Sequence, residues 1–452
     1  MSAVEHRAPS HAGHVPAASG APSRTGDHPP VLVRCDTEAE ISQAIRHAGA
    51  TGRRLVPRGG GHCFAGRSTT DGIILDLGGL REIRVDRSGT AVIGAGCLLG
   101  EVYAALHASA RTLPAGCGAT VGIAGLTLGG GIGLLGRRHG LTCDRLTSAR
   151  VVLANGEVVE CDEFREPELF WALRGAGGGQ FGVVSSFTFA TVVEPLVTRI
   201  EMSWPGSTDL GALLTAWQRC APDAAEALTL DLVIERAPGP IGARARATGV
   251  STLPVAETVA LLGEFTADTA PARVRALEPV PYSTVKEAHA DERRSLPERP
   301  SRLRSEFFEN AMDERTADAL LSLLLDADAD GHRRLSFTAM GGAYNRMLPG
   351  DTAFAHRRTR FLLEHVGDPA DPWIDDSWRT AHAAGAGRVY PNFPDPLLED
   401  PLIAYHAENA DRLSAVKQRY DPHRFFDFPQ AVPPALPAGA VPHRTDRKEV
   451  SS

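Results

Sequence analysis

Apolar positions recur three and four residues apart from 37 to 49, where Ile41, Ala44, Ile45 and Ala48 share one face. Thr37 and Glu40 stand at the spacing of a capping box, so the pattern predicts a helix that starts at Thr37. Strand-like Leu55-Val56 follows, then a glycine run, then a second strand over 72–77. Residues 83–85 and 91–93 flank Ser88-Gly89 and read as a hairpin, and 98–107 reads as a helix. A second hairpin is centred on Asn155-Gly156, a dipeptide suited to a type I′ turn. Residues 167–174 read as a helix with proline early in it, and 182–189 as a strand. The first 195 residues or so are therefore α+β with short strands.

The pattern then changes. Leu228, Leu230, Leu232 and Ile234 alternate with Thr229, Asp231, Val233 and Glu235, which is a strand with one apolar and one partly polar face. Residues 334–340 and 360–366 repeat the theme, and helical segments at 209–219, 255–265 and 314–325 lie between these strands. The arrangement implies an antiparallel sheet backed by helices on its apolar face, with the other face left for a ligand.

A chain of 452 residues suggests two domains or one with a large insertion. The net charge of −8 comes without a basic tract, so no nucleic-acid partner is expected, and no apolar run is long enough to span a membrane. Seven scattered cysteines with no CxxC pair read as free thiols of a cytoplasmic protein, not as a disulfide frame or metal site. Residues 1–29 and 433–452, rich in Ala, Pro, Gly and Ser, read as a disordered extension and a flexible tail. Oligomeric state has no signature here.

The chemistry concentrates around glycine. Arg58-Gly59-Gly60-Gly61-His62 places an imidazole after three residues that lack a Cβ, between two strands. A large flat group could approach that backbone closely, and imidazole can act as a nucleophile, so a tethered cofactor is suggested. Further triplets occur at Gly129–Gly131 and Gly177–Gly179. The amides of the segment 116–133, which carries Gly129–Gly131, could cradle a diphosphate without Lys or Arg. A GxGxxG match there is not cleanly strand-to-helix, and no GK[ST] follows, so neither a Rossmann fold nor a P-loop is indicated.

Four motifs in order resemble the berberine-bridge-enzyme-like FAD-linked oxidases of the vanillyl-alcohol-oxidase superfamily, over about residues 30–432. They are Arg58–Ser68; Thr120–Gly133 with His139–Asp144; Glu168–Val184; and Tyr390-Pro-Asn392 with the closing run Tyr420–Phe425 and Gln430–Val432. The resemblance implies a PCMH-type, two-subdomain FAD-binding domain over 30–195. It further implies an antiparallel-sheet substrate domain over 196–385 and a C-terminal return to the FAD domain over 386–432. It implies FAD linked through its 8α-methyl carbon to His62, and a cofactor site built from Arg58, Gly59, Gly60, Gly61, Cys63, Gly66, Arg67, Ser68, Gly118, Thr120, Val121, Gly122, Gly125, Leu126, Gly129, Gly130, Gly131, Gly133, Asp144, Gly182, Val183, Tyr390 and Asn392. No metal is implied.

Relatives that attach FAD twice use a cysteine that aligns with Gly118. Cys117 is one residue early, so a single link is expected, and with it a smaller substrate. Val121 stands at the family's oxygen-access position and resembles the oxygen-permissive members, which implies an oxidase making hydrogen peroxide from O2 and a small alcohol, amine or secondary metabolite. A dehydrogenase or oxidative cyclase is the alternative within the family. Phe64 replaces a tyrosine often found two residues after the linking histidine. By motif Tyr390 is the acid/base candidate. The family's carboxylate base falls in register on Leu362, and Glu364 shares its parity on the strand. Asp231 is a weaker candidate.

Overall fold

The computed structural model describes residues 30–206, 208–236, 242–275, 277–295, 301–326 and 331–435; the segments 1–29 and 436–452 lie outside the described residues. Residues 433–435 are described, and the Ala435 amide donates to the Ser414 carbonyl. The fold is α+β, as the sequence predicts.

Strands β1 (Val31–Arg34), β2 (Leu55–Arg58) and β3 (Ile73–Asp76) form a parallel sheet in the order β1-β3-β2. The helix Glu38–Thr51 crosses over from β1, with the expected capping box on Thr37 and Glu40. Strands β4 (Ile83–Val85), β5 (Thr90–Gly94), β6 (Leu146–Val152), β7 (Val158–Cys161) and β8 (Val183–Ala190) form a five-stranded antiparallel sheet in the order β4-β5-β8-β6-β7. The β6–β7 turn differs from expectation. Gly156 has φ 80° but Asn155 is not left-handed, and the Gly156 amide donates to Leu153, so the turn is type I with glycine in the following left-handed position. The Asn155 side chain accepts from the Glu157 amide, which favours this form.

Apart from a short antiparallel pair, Arg111–Thr112 with Val192–Val193, the later strands β9 (Leu196–Trp204), β10 (Leu228–Arg236), β11 (Ala243–Ser251), β12 (Arg273–Arg275), β13 (Pro279–Pro281), β14 (Arg302–Phe308), β15 (Arg333–Ala339) and β16 (Phe361–Gly367) build one sheet. Its order is β12-β9-β11-β10-β15-β16-β14, with β13 also on β9, and the pairings are antiparallel. Helices Leu210–Cys220, Glu314–Leu325 and Trp373–Ala384 cover its apolar face, where Trp217, Leu232, Leu320, Phe337, Phe361 and Ile374 share one core. The Trp217 indole satisfies its N–H on the Leu230 carbonyl, so this large ring is buried without an orphan donor. A separate core joins Ile45, Leu75, Ile93, Leu106 and Phe187 of the first two sheets, and reaches Leu413, Phe426 and Val432 of the closing segment.

Two charged side chains fix how these parts meet. Arg137 is fully buried and donates to the carbonyls of Leu228, Pro222, Ala224 and Met340, pinning the glycine-rich region to the edge of the large sheet. Lys417 is buried with Asp421 and donates to the Gln180 and Phe426 carbonyls, holding the closing segment down. Removing Asp421 would strand the buried Lys417 charge, which costs several kcal/mol (about 3–5).

Candidate active site

Between the glycine loops and the polar face of the large sheet lies a cavity of about 420 Å³. Its two walls are made differently. The first is backbone. The loop after β2 presses against the segment before the Ile123–Leu128 helix so tightly that a Cβ on Gly60 would sit 2.2 Å from the Gly122 nitrogen, and one on Gly122 2.3 Å from the Gly60 nitrogen. Among the described residues, no acceptor meets the amides of Gly59, Gly60 or Gly61. Unpaired amides facing a cavity in a cradle that any Cβ would fill fit the phosphates and flat ring of FAD.

The second wall is side chains. Thr229 and Asp231 come from β10, Thr338 from β15, and Leu362 and Glu364 from β16. Thr338 pairs with Leu362 and Ser336 with Glu364, so Leu362 and Glu364 project from successive rows of the same face. The expected parity of Glu364 therefore brings it into the cavity.

Of the residues read from the sequence, Gly59, Gly60, Gly61, His62, Cys63, Arg67, Ser68, Gly118, Val121, Gly122, Gly125, Leu126, Gly133, Gly182, Val183, Tyr390, Asn392 and Glu364 line the cavity. Arg58, Gly66, Thr120, Gly129, Gly130, Gly131 and Asp144 stand behind it. Asp144 instead accepts two bonds from the buried Arg357 guanidinium, at 2.7 and 2.9 Å, and one from the Leu141 amide. The idea that the amides of Gly129–Gly131 cradle a diphosphate gives way to local bonding. Gly129 donates to Gly125, Gly130 to Thr127, and Gly131 to the Tyr390 hydroxyl. Phe393, inside the Tyr-x-Asn segment, and Tyr344 and the Phe426–Phe428 stretch, which no motif or periodicity points to, also line it.

Tyr390 is the most elaborately held group. Its hydroxyl oxygen accepts from the amides of Gly131 (3.0 Å) and Ile132 (3.2 Å) and from Asn392 Nδ2 (3.0 Å). Asn392 also donates to the Leu126 carbonyl and fills the space over Gly129, where a Cβ would meet its Oδ1 at 2.1 Å. The C-terminal Tyr-x-Asn motif is thus locked onto the second glycine segment. Burial pushes the Tyr390 phenol up to about 12, while the three N–H donors pull the other way. At neutral pH it keeps its proton, and among the described residues no acceptor takes it.

Asp231 accepts from the Ala339 amide at 3.0 Å. Burial pushes it up to about 7, and the nearby Glu364 charge adds to the shift. Phe64 packs edge-on against Phe393, which in turn meets Tyr390, so an aromatic row runs along the cavity beside His62.

Comparison with known proteins fits this geometry. Residues 29–162 match the FAD binding domain family and residues 389–433 the family described as berberine and berberine like. An uncharacterised FAD-linked oxidoreductase of Bacillus subtilis is 32% identical over 421 residues, 90% of this chain and 92% of its own. A chitooligosaccharide oxidase of Gibberella zeae is 28% identical, over 88% of this chain and 86% of its own. Among solved structures, BBE-like 1 of Physcomitrella patens superposes with a TM-score of 0.82 at 26% identity, covering 91% of this chain and 93% of that one. The cavity between a glycine cradle and a substrate sheet, and the match along nearly the whole chain, make this protein a member of the berberine-bridge-enzyme-like family of FAD-linked oxidoreductases.

Proposed function

We propose that the protein is an oxidase whose FAD is carried on His62 through its 8α-methyl carbon and whose reduced cofactor passes electrons to O2, giving hydrogen peroxide. The observation that carries this reading is that His62, Val121, Tyr390 and Glu364, drawn from four distant parts of the chain, line one cavity. The division at about 195, with a return at about 386, is supported by the two separate cores. Seven free thiols suit a reducing compartment, and no helix among the described residues is long and apolar enough to cross a membrane.

A single link is supported at the second position. Gly118 has no side chain, and a Cβ there would meet Val121 Cγ2 at 2.8 Å. Cys117 lines the cavity, but its sulfur accepts a hydrogen bond from Lys286 Nζ at 3.4 Å.

Bound FAD would supply the two-electron acceptor. The protein must then orient the donor carbon and remove the proton of its O–H or N–H. Tyr390 holds its own proton at neutral pH, so its first contribution is a hydrogen bond from that hydroxyl to the substrate heteroatom. Its three N–H donors stabilise a phenolate once the proton has somewhere to go. Glu364 and Asp231, on the opposite sheet wall, are carboxylates of the cavity that can receive it. The Gibberella zeae relative is named for chitooligosaccharide oxidation, which supports an alcohol carbon as donor. The aromatic row and sparse polar groups suit a small substrate with an apolar body. Anaerobic bleaching of the bound flavin, screened across alcohols, amines and sugars and followed by admission of oxygen, tests the reading. Peroxide formed in step with recolouring is the expected result; reduced flavin that persists for minutes in air would make the protein a dehydrogenase.

A further inference from the structure

Beside the cofactor cavity lies a nucleophile pair that the proposed reaction does not use. Lys286, on the helix Tyr282–Ser295, is buried and sends its ammonium across to the glycine-rich segment. Nζ donates to the Ala115 carbonyl (2.9 Å), the Gly116 carbonyl (3.2 Å) and Cys117 Sγ (3.4 Å). It rests over the rings of Tyr103 (4.8 Å) and Tyr282 (4.9 Å). Among the described residues, the hydrogen-bond and ring partners of this buried cation are carbonyls, two rings and one thiol, with no carboxylate among them. Burial accordingly pushes the lysine down, toward the neutral amine. Among the described residues, the Tyr282 hydroxyl beside it has no hydrogen-bond partner.

Cys117 lines the cavity in which the reduced cofactor would meet oxygen. It is half-buried, whereas Cys35, Cys97, Cys143 and Cys161 are buried, and burial pushes the thiols of Cys35 and Cys161 up to about 12. Cys63 also lines the cavity, but among the described residues no lysine bonds to it. Cys117 therefore joins access to the cavity to an amine within bonding reach of its sulfur.

We propose that Cys117 and Lys286 are a peroxide-modifiable pair that closes into a reversible sulfur–nitrogen cross-link. In the first step the Cys117 thiol attacks hydrogen peroxide: the O–O bond breaks, the sulfur is oxidised by two electrons to sulfenic acid, and one water leaves. In the second, Lys286 loses its ammonium proton, the freed amine displaces hydroxide from that sulfur, the nitrogen gives up a further proton to that hydroxide, and a second water leaves with no further change in oxidation state. An added thiol reverses the bond by two-electron reduction, returning amine and thiol. The link would join residues 169 positions apart in sequence, tying the helix that follows β13 to the segment flanking the flavin. The peroxide source rests on the oxidase reading; the chemistry of the pair does not.

The test treats the yellow holoenzyme with added hydrogen peroxide without substrate, alkylates free thiols, and maps tryptic peptides. A cross-linked species joining the Cys117 and Lys286 peptides, lighter than their sum by two hydrogens and lost on dithiothreitol treatment, is expected. Cys117→Ser should abolish it with flavin retained. Lys286→Arg, which keeps the buried cation, should leave Cys117 oxidised to sulfenic acid that dimedone traps. Cys117 driven straight to sulfinic acid in the native protein, or left unmodified while Cys63 oxidises, would overturn the proposal. In a second arm the flavin is photoreduced and reoxidised in air. A cross-link that needs added peroxide and never forms in this arm would refute the flavin as oxidant source while leaving the pair intact.

Discussion

The two walls of the cavity obey different rules. The flavin wall is nearly all backbone, and Gly60 and Gly122 approach so closely that neither can accept a Cβ. The sheet wall is side chains standing on a regular ladder, where Thr229, Asp231, Thr338, Leu362 and Glu364 can change without moving a strand. A binding surface made of backbone fixes one ligand, because any variation disrupts the surface itself. A surface made of side chains on a sheet can be re-specified. On the proposed reading, the cofactor is written in the first wall and the substrate in the second.

The sharpest break in that symmetry is at Gly60. Gly60→Ala should cost the protein its flavin altogether, since the added carbon has only rigid backbone to displace; Thr338→Ala on the opposite wall should keep it. The ratio of absorbance near 450 nm to that at 280 nm in purified protein reads both, the wavelengths being roughly those of any flavoprotein. Flavin-loaded Gly60→Ala would show that the loops yield.

Tyr390 belongs to the chain's return and bridges the walls. Tyr390→Phe removes the hydroxyl and leaves the Gly131 and Ile132 amides without their acceptor. Anaerobic flavin reduction should slow at least about tenfold, within the ~10²–10⁴ range of positioned acid/base groups, with reoxidation nearly unchanged. If the rate stays within about twofold, Tyr390 is only a wall, and Glu364→Gln becomes the decisive variant.

Acid separates the walls in another way. His356, His365 and His406 are buried around the sheet and the return, and burial pushes each down to about 3. Their folded values lie below the unfolded ~6.5, so the unfolded chain binds protons first as pH falls. Their stabilisation is complete above about pH 6.5 and declines toward pH 3, by roughly 1–2 kcal/mol per pH unit for each. Urea midpoints measured at pH 7 and pH 5 should drop accordingly. Protection of the sheet amides in hydrogen exchange should fall before that of the β1–β3 sheet, and equal losses would remove the distinction.

The smallest expected effect is at Val121. Val121→Ile should slow reoxidation by oxygen severalfold and leave reduction unaltered, because it narrows the flavin wall without touching the sheet. Stopped-flow mixing of reduced protein with aerated buffer reads this directly; reduction slowed instead would place Val121 against the substrate.

The same contrast explains what could be read from the chain. The flavin wall was legible because glycine triplets have few structural explanations and each leaves a mark in sequence. Even so, the partners of individual amides were not, and the Gly131 amide went to a tyrosine 259 residues away. In the sheet, β10 was legible from its leucines. β11 was not, because its inward face is carried by Ala243, Ala245 and Ala247, too small to stand out from the arginines between them. The polar helix Ala410–Tyr420 was likewise missed, since it buries only a narrow strip with Leu413 and Val416. The position of Glu364 followed from the family register at Leu362 together with strand parity, whereas Tyr344 reaches the cavity from a short 3-10 turn with no periodicity to announce it.

Peptide mapping of the acid-denatured native protein tests the assignment of the cofactor to the backbone wall most directly. The colour should stay with the polypeptide, and the flavin mass should lie on the peptide containing His62, with Cys117 free to react with an alkylating reagent. Flavin released by acid, or found on the Cys117 peptide, would contradict it.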